Sequence, residues 1–171
     1  YEDINNIKSN LYSKLNQAVK SRMFADVPSG CFLSGGYDSS IISYFMQKNS
    51  INKIETFTIG QHNEKDESKH ARNISSFLGT NHNEYFIEDI NLMDHIVKIT
   101  QSLDQPFGDS SIIPTFLVSK FASQKVKVCL SGDGGDEIFG GYNRYNYVKL
   151  FNLISKFNPK IIKFFLSSVP N

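Results

Sequence analysis

The stretch "FLSGGYDSSIIS", residues 32–43, sets an apolar pair before a serine–glycine–glycine turn and a helix-forming run after it. Glycines let a backbone turn sharply and bring its N–H groups close to an anion. A helix that starts directly afterwards adds free N–H groups and the positive end of its dipole. Ser34, Ser39 and Ser40 add hydroxyl donors, so the set suits a pyrophosphate group. It is not the Walker A loop, which needs a Lys and a Ser or Thr directly after its last glycine. Gly36 is followed instead by Tyr37 and Asp38. Asp38 alone would repel phosphate and therefore calls for a bridging cation; magnesium takes carboxylate and phosphate oxygens together. The plainer reading is that Gly35-Gly36 make a tight turn and Asp38 caps the next helix.

Outward from this loop the pattern alternates. Before it, "GCFL" (30–33) is an expected buried strand, preceded by a helix over roughly 3–24 with Ile4, Ile7, Leu11, Leu15, Ala18, Val19 and Met23 on one face. After it come a helix capped by Asp38 or Ser39, a strand at 53–59, and a helix from Asp66 ended by Gly79. A strand at 82–87 and a helix from about Asp89 follow, then a turn-rich loop at 104–111. A helix that tolerates Pro114 in its first turn leads to a strand at 125–130. Strands alternating with helices imply a Rossmann-like, three-layer α/β/α fold with a mostly parallel sheet.

A second glycine loop, "SGDGGDE" (131–137), follows the last of these strands and precedes a helix expected from about Glu137. Asp133, Asp136 and Glu137 would each resist ionising if left unpaired, and a divalent metal or a cationic substrate group relieves that cost. In open α/β sheets, ligands sit beyond the carboxyl ends of strands where strand order reverses. The two loops are therefore candidate opposite walls of one crevice. Asp104 and Asp109, in "DQPFGDSS", belong to the same rim, with helix capping by Asp109 or a nearby serine as the plainer reading.

The 171 residues suit one domain with a sizeable core, expected as a piece of a longer protein because "YEDINN" lacks an initiator Met and "FFLSSVPN" breaks off a helix pattern. With 40% hydrophobic and 20% charged residues the chain is globular. The net charge is +1 with no basic block, which argues against nucleic acid. Cys31 and Cys129 read as buried reduced thiols, and with no apolar run long enough to span a membrane the expected location is cytoplasmic. His62, His70, His82 and His95 lack metal-ligand spacing and read as surface residues. Asp66-Glu67 reads as a charged helix start, and "NRYNYVKLF" as helix packing.

"VPSGCFLSGGYDSSIIS" resembles the pyrophosphate-loop segment of the asparagine synthetases, with the pattern SGGxDSS. "ETFTIG", "DESKHARNISSFLGTNHNE", "DQPFGDSSIIPTFLVSKFA" and "VKVCLSGDGGDEIFGGYNRY" are similar to that family's next segments, in order, over roughly 1–147. The resemblance implies an ATP pyrophosphatase (PP-loop) synthetase domain, adenine nucleotide alpha hydrolase-like. ATP adenylates the side chain of aspartate to β-aspartyl-AMP, and ammonia then displaces AMP to give asparagine. The implied cofactors are ATP and magnesium; the implied partners are aspartate and glutamine-derived ammonia, and a homodimer of the full-length enzyme is kept open. Ser34, Gly35, Gly36, Asp38, Ser39 and Ser40 match the pyrophosphate loop, and Asp38 and Asp136 the acids that hold magnesium and pyrophosphate. Phe32 or Leu33, with Ile59 and Gly60, match backbone positions around adenine. Ser131, Gly132 and Asp133 match the segment that meets the acyl-adenylate, with Asp133 either holding the substrate amino group or taking a proton from ammonia; Asp109 helps to hold aspartate. The family's N-terminal glutaminase domain and its downstream helices with a catalytic lysine have no counterpart between Tyr1 and Asn171, so this stretch alone is not expected to complete the reaction. The "IIKFFL" run (161–166) is expected to pack on those helices or in an oligomer contact. Tyr37 replaces a smaller aliphatic residue and is expected either to cover the loop or to tune access. The alternatives are a relative acting on another carboxylate, as in sugar or β-lactam assembly, and a degenerate nucleotide-binding partner. A tRNA-modifying enzyme would need a basic surface and often paired cysteines, neither of which is seen.

Overall fold

The computed structural model describes residues 3–60, 67–87, 92–105, 108–109, 111–145 and 147–148. The chain divides into two compact units, Tyr1–Gly132 and Asp133–Asn171. The expected "IIKFFL" contact, His62, Asp66 and Asp89 fall outside the described residues.

The first unit holds four parallel strands, β1 (Ser29–Phe32), β2 (Glu55–Gly60), β3 (Asn81–Phe86) and β4 (Val128–Leu130), in the order β3-β2-β1-β4. The chain steps outward from β1 to β2 to β3, then returns to lay β4 on the other side of β1. Strand order therefore reverses between β1 and β4, and both glycine loops leave from that point.

Helices cover both faces, as the alternating pattern required. Helices α1 (Ile4–Arg22) and α2 (Tyr37–Asn49) close one core around Val19, Cys31, Phe45, Met46 and Ile54. Helix α3 (Ser68–Leu78) packs beside α2 on β2 and β3. Helix α5 (Ile112–Ala122) closes the other face, its Ala122 packing with Phe57 and Val126, with α4 (Leu92–Ser102) alongside it. Phe57 and Met46 are fully buried, and each such side chain contributes about 1.5–3 kcal/mol. Gly79 ends α3 in the left-handed conformation, φ 74°, and Pro114 sits in the first turn of α5, both as expected.

Some expectations are corrected. The apolar stripe of α1 reaches the core only from Leu15 to Met23, while Ile4 is 63% exposed. A helix of 19 residues is about 28 Å long and outruns the short strands beneath it. Strand β4 begins at Val128, not at 125, because Lys125 and Val126 donate their N–H groups to Ala122 O and finish the turn after α5. Helix α2 begins at Tyr37 with Gly36 as its N-cap, so neither Asp38 nor Ser39 caps it. Among the described residues no helix is long and apolar enough to cross a membrane.

Candidate functional site

Strand β1 delivers the chain to the first loop. Leu33 is buried; its N–H donates to Phe57 O at 2.9 Å and its carbonyl accepts from the Thr58 hydroxyl. At Gly35 the backbone takes φ +84°, and a Cβ there would stand 2.7 Å from His70 Cβ and 2.8 Å from Ala71 N. The loop thus rests on the first turn of α3, and only glycine fits both the φ and the contact. Ser39 Oγ accepts from Ser34 N–H (3.2 Å) and donates to Gly36 O (3.3 Å), and so receives the Ser34 hydroxyl proton at 3.0 Å. Ser34 Oγ in turn accepts from Gly36 N–H (3.3 Å), and Ser40 Oγ donates to Gly36 O (2.6 Å). The three hydroxyls wire the loop to itself. The first turn of α2 has no side-chain cap, which leaves backbone N–H groups at the positive end of the helix to meet an anion.

The backbone leaving β4 closes on this turn. A Cβ at Gly132 would lie 2.6 Å from Ser39 N and 2.9 Å from both Asp38 C and Asp38 Cβ. Gly132 therefore lets the backbone leaving β4 lie flat on the start of α2. Half-buried Asp38 stands in that first turn. Phe32 ends β1, while Ile59 and Gly60 end β2, where the Phe86 ring fills the space above Gly60. The structure so gathers Phe32 through Gly36, Asp38, Ser39, Ser40 and Gly132, with Ile59 and Gly60, at the carboxyl ends of β1, β2 and β4.

The second unit carries Asp133 and Asp136. Its helix α6 (Gly135–Phe139) starts before the expected Glu137 and is bounded by Gly134 and Gly140, both left-handed. The Asp136 carboxylate occupies the space above Gly141, where a Cβ would stand 1.9 Å from Oδ1. Tyr142 donates its hydroxyl to Glu137 Oε1 at 2.7 Å. That bond holds the Glu137 carboxyl below its usual range and pushes the Tyr142 phenol up to about 12.

Asp109 is exposed, and its carboxylate accepts from Ser111 N–H at 2.9 Å just before α5, a bond that holds its carboxyl below the usual range. Tyr37 is 90% exposed and does not cover the loop. Glu67 stands at the N-cap of α3 without a side-chain cap bond. His82 and His95 are half-buried, not surface residues. His82 Nδ1 lies 3.0 Å from Thr56 Oγ1, and burial keeps its imidazole below the usual value. Cys31 is buried and Cys129 half-buried; desolvation pushes their thiols up to about 12 and about 11, which makes them inert at neutral pH. Sequence reasoning missed the support that His70 and Ala71 give to Gly35, and the Gly141–Asp136 contact; for the latter the third glycine pair, Gly140-Gly141, was the available signal.

The asparagine synthase family model matches residues 10–163. A Methanocaldococcus jannaschii protein, provisionally named asparagine synthetase (glutamine-hydrolyzing) 2, is 40% identical over 157 residues, covering 91% of this chain and 30% of that protein. Asparagine synthetase (glutamine-hydrolyzing) 1 of Bacillus subtilis is 35% identical over 143 residues, covering 83% of this chain and 22% of its own length. The chain thus spans less than a third of the curated relatives it matches. Among solved structures, the NH3-dependent NAD synthetase of Campylobacter jejuni aligns with a TM-score of 0.55 at 14% identity, over 79% of this chain and 60% of that one. The NMN synthetase of Francisella tularensis aligns with a TM-score of 0.54 at 17% identity, over 78% and 58%. At that identity the likeness shows a shared fold.

Proposed function

The chain belongs to the asparagine synthase family, and from that premise we propose that it is the ATP-using, amide-forming part of an enzyme that converts aspartate to asparagine. The observation that carries the reading is the seating of Gly132, just after β4, on the uncapped first turn of α2. A kinase-type site must stabilise charge on a transferring γ-phosphoryl group. An adenylating site breaks the bond between the α- and β-phosphates and must hold a departing pyrophosphate, which backbone N–H groups at a helix start suit.

In this reading Phe32, Leu33, Ile59 and Gly60 border adenine. Leu33 keeps its N–H on Phe57, so only backbone groups left over from the sheet serve the base. Ser34, Gly35, Gly36, Asp38, Ser39 and Ser40 form the pyrophosphate loop, and Asp38 and Asp136 are the two acids that hold magnesium. The donor set fits that ion, which takes one or two carboxylates together with substrate phosphates and needs no cage of protein ligands. Among the described residues no cluster of three or more His, Cys, Asp or Glu side chains forms such a cage. When bound, magnesium supplies positive charge to the pyrophosphate oxygens as the bond to the α-phosphate breaks. Ser131, Gly132 and Asp133 border the acyl-adenylate, and attack of glutamine-derived ammonia on it forms asparagine and releases AMP.

The test is aspartate-dependent exchange of pyrophosphate into ATP by the full-length protein. Exchange with aspartate supports the reading, exchange with a different carboxylic acid reassigns the acceptor, and ATP binding without exchange with any acid defeats it.

A further inference from the structure

Glu137 and Tyr142 stand on either side of the Gly140-Gly141 turn, and their 2.7 Å hydrogen bond closes it. The Arg144 guanidinium lies over the Tyr142 ring at 4.3 Å, and the Tyr145 ring meets the same ring edge-on at 5.7 Å. Inside this closure the turn grips Asp136 twice. The N–H groups of Gly140 and Gly141 both donate to the Asp136 carbonyl, the latter at 3.0 Å. The Asp136 carboxylate fills the space that a side chain at 141 would take. Helix α6 has only five residues and a left-handed glycine at each end. A helix so short does not hold itself, and flexible glycines resist being ordered. Some tie across the turn is needed to keep Asp136 in one place.

We propose that the Glu137–Tyr142 hydrogen bond, backed by Arg144, is a positioning clamp that holds the Asp136 carboxylate in the orientation a divalent cation requires. The inference rests on the proposed role of Asp136 as a magnesium-holding acid. Partners behind a ligating carboxylate set its direction, and losing one typically weakens metal affinity. Glu137 and Tyr142 do not touch the metal in this scheme; they act through the backbone and side chain of Asp136.

The experiment uses Tyr142→Phe, Glu137→Gln and Glu137→Ala in the full-length protein. Manganese binding is followed by electron paramagnetic resonance with pyrophosphate present, and the magnesium dependence of pyrophosphate exchange is measured beside it. Tyr142→Phe keeps the ring under Arg144 and is expected to raise the manganese half-saturation concentration roughly tenfold. Its exchange rate should recover to within about twofold at saturating magnesium, the split between affinity and turnover that a positioning role produces. Glu137→Gln retains an acceptor oxygen and should bind manganese more tightly than Glu137→Ala. Amide hydrogen exchange at Gly141 should quicken in Tyr142→Phe, which reports on the closed turn without reference to activity. Unchanged manganese binding in Tyr142→Phe, with a wild type that does bind, overturns the clamp alone. A wild type that binds no manganese with pyrophosphate removes the reading of Asp136, and the clamp's purpose with it.

Discussion

The two glycine loops solve one problem, holding an acid at the start of a helix, by different means. The first is wired by hydroxyls: Ser34 and Ser39 bond to each other, and the hydroxyls of Ser34, Ser39 and Ser40 all bond to Gly36, and a 13-residue helix stands behind them. The second is wired by space. Gly132 gives up its side chain to α2, Gly141 gives up its own to the Asp136 carboxylate, and a tyrosine ties the turn shut. Where a long helix is packed on a sheet, small polar side chains are enough to set the loop. Where the helix has only five residues, the order must come from close contact and from a longer side chain reaching across.

The sharpest way to break this comparison is at the acids. Asp38→Asn and Asp136→Asn are each expected to lower pyrophosphate exchange roughly 100- to 1,000-fold with little change in melting temperature. A large effect from one and none from the other would mean that the loops do not serve the same reaction. Next comes Gly132→Ala, whose methyl would meet the backbone of Asp38 and Ser39. A shift of about 1 Å in a positioning element costs roughly 100-fold, so exchange should fall by that order while Ser131→Ala falls less. Ser39→Ala sharpens the first half of the comparison. It leaves Ser34 N–H without its partner, and denaturant unfolding should register a loss of about 1–2 kcal/mol.

A smaller effect tests a region away from both loops. Burial lowers the His82 imidazole, with Glu84 opposing that shift and Arg72 adding to it. Protonation therefore favours the unfolded chain. The contribution is full above the unfolded value of about 6.5 and is lost as pH falls toward the lower folded value. Melting temperature should drop more steeply from about pH 7 to about pH 5 in the wild type than in His82→Gln; parallel curves would contradict it. The smallest effect is expected at Tyr37, where the exposed side chain makes Tyr37→Val worth no more than about 0.5 kcal/mol, as denaturant unfolding will show.

Much of the fold was legible because its signals are local. The apolar period of α1, the Gly79 stop and the turn glycines after β1 and β4 each act within a few neighbours. Boundaries were less legible where a neighbour decides them. Helix α2 starts at Tyr37 because Gly36 is extended with ψ 166°, and β4 starts late because Ala122 O claims the N–H groups of Lys125 and Val126. His82 looked like a surface residue because its cover comes from Thr56, a strand away.

The order of residues alone was enough to say that this is an alternating α/β chain with two glycine loops, each at the end of a strand and each holding carboxylates, and to place it beside its family. Hydrophobic period and turn chemistry are written in nearest neighbours, so they survive without a structure. Which glycine is needed for its missing side chain is a matter of what arrives from elsewhere. Gly35 meets α3 and Gly132 meets α2, and tertiary packing alone made those demands, because a close approach exists only once distant segments share the same volume.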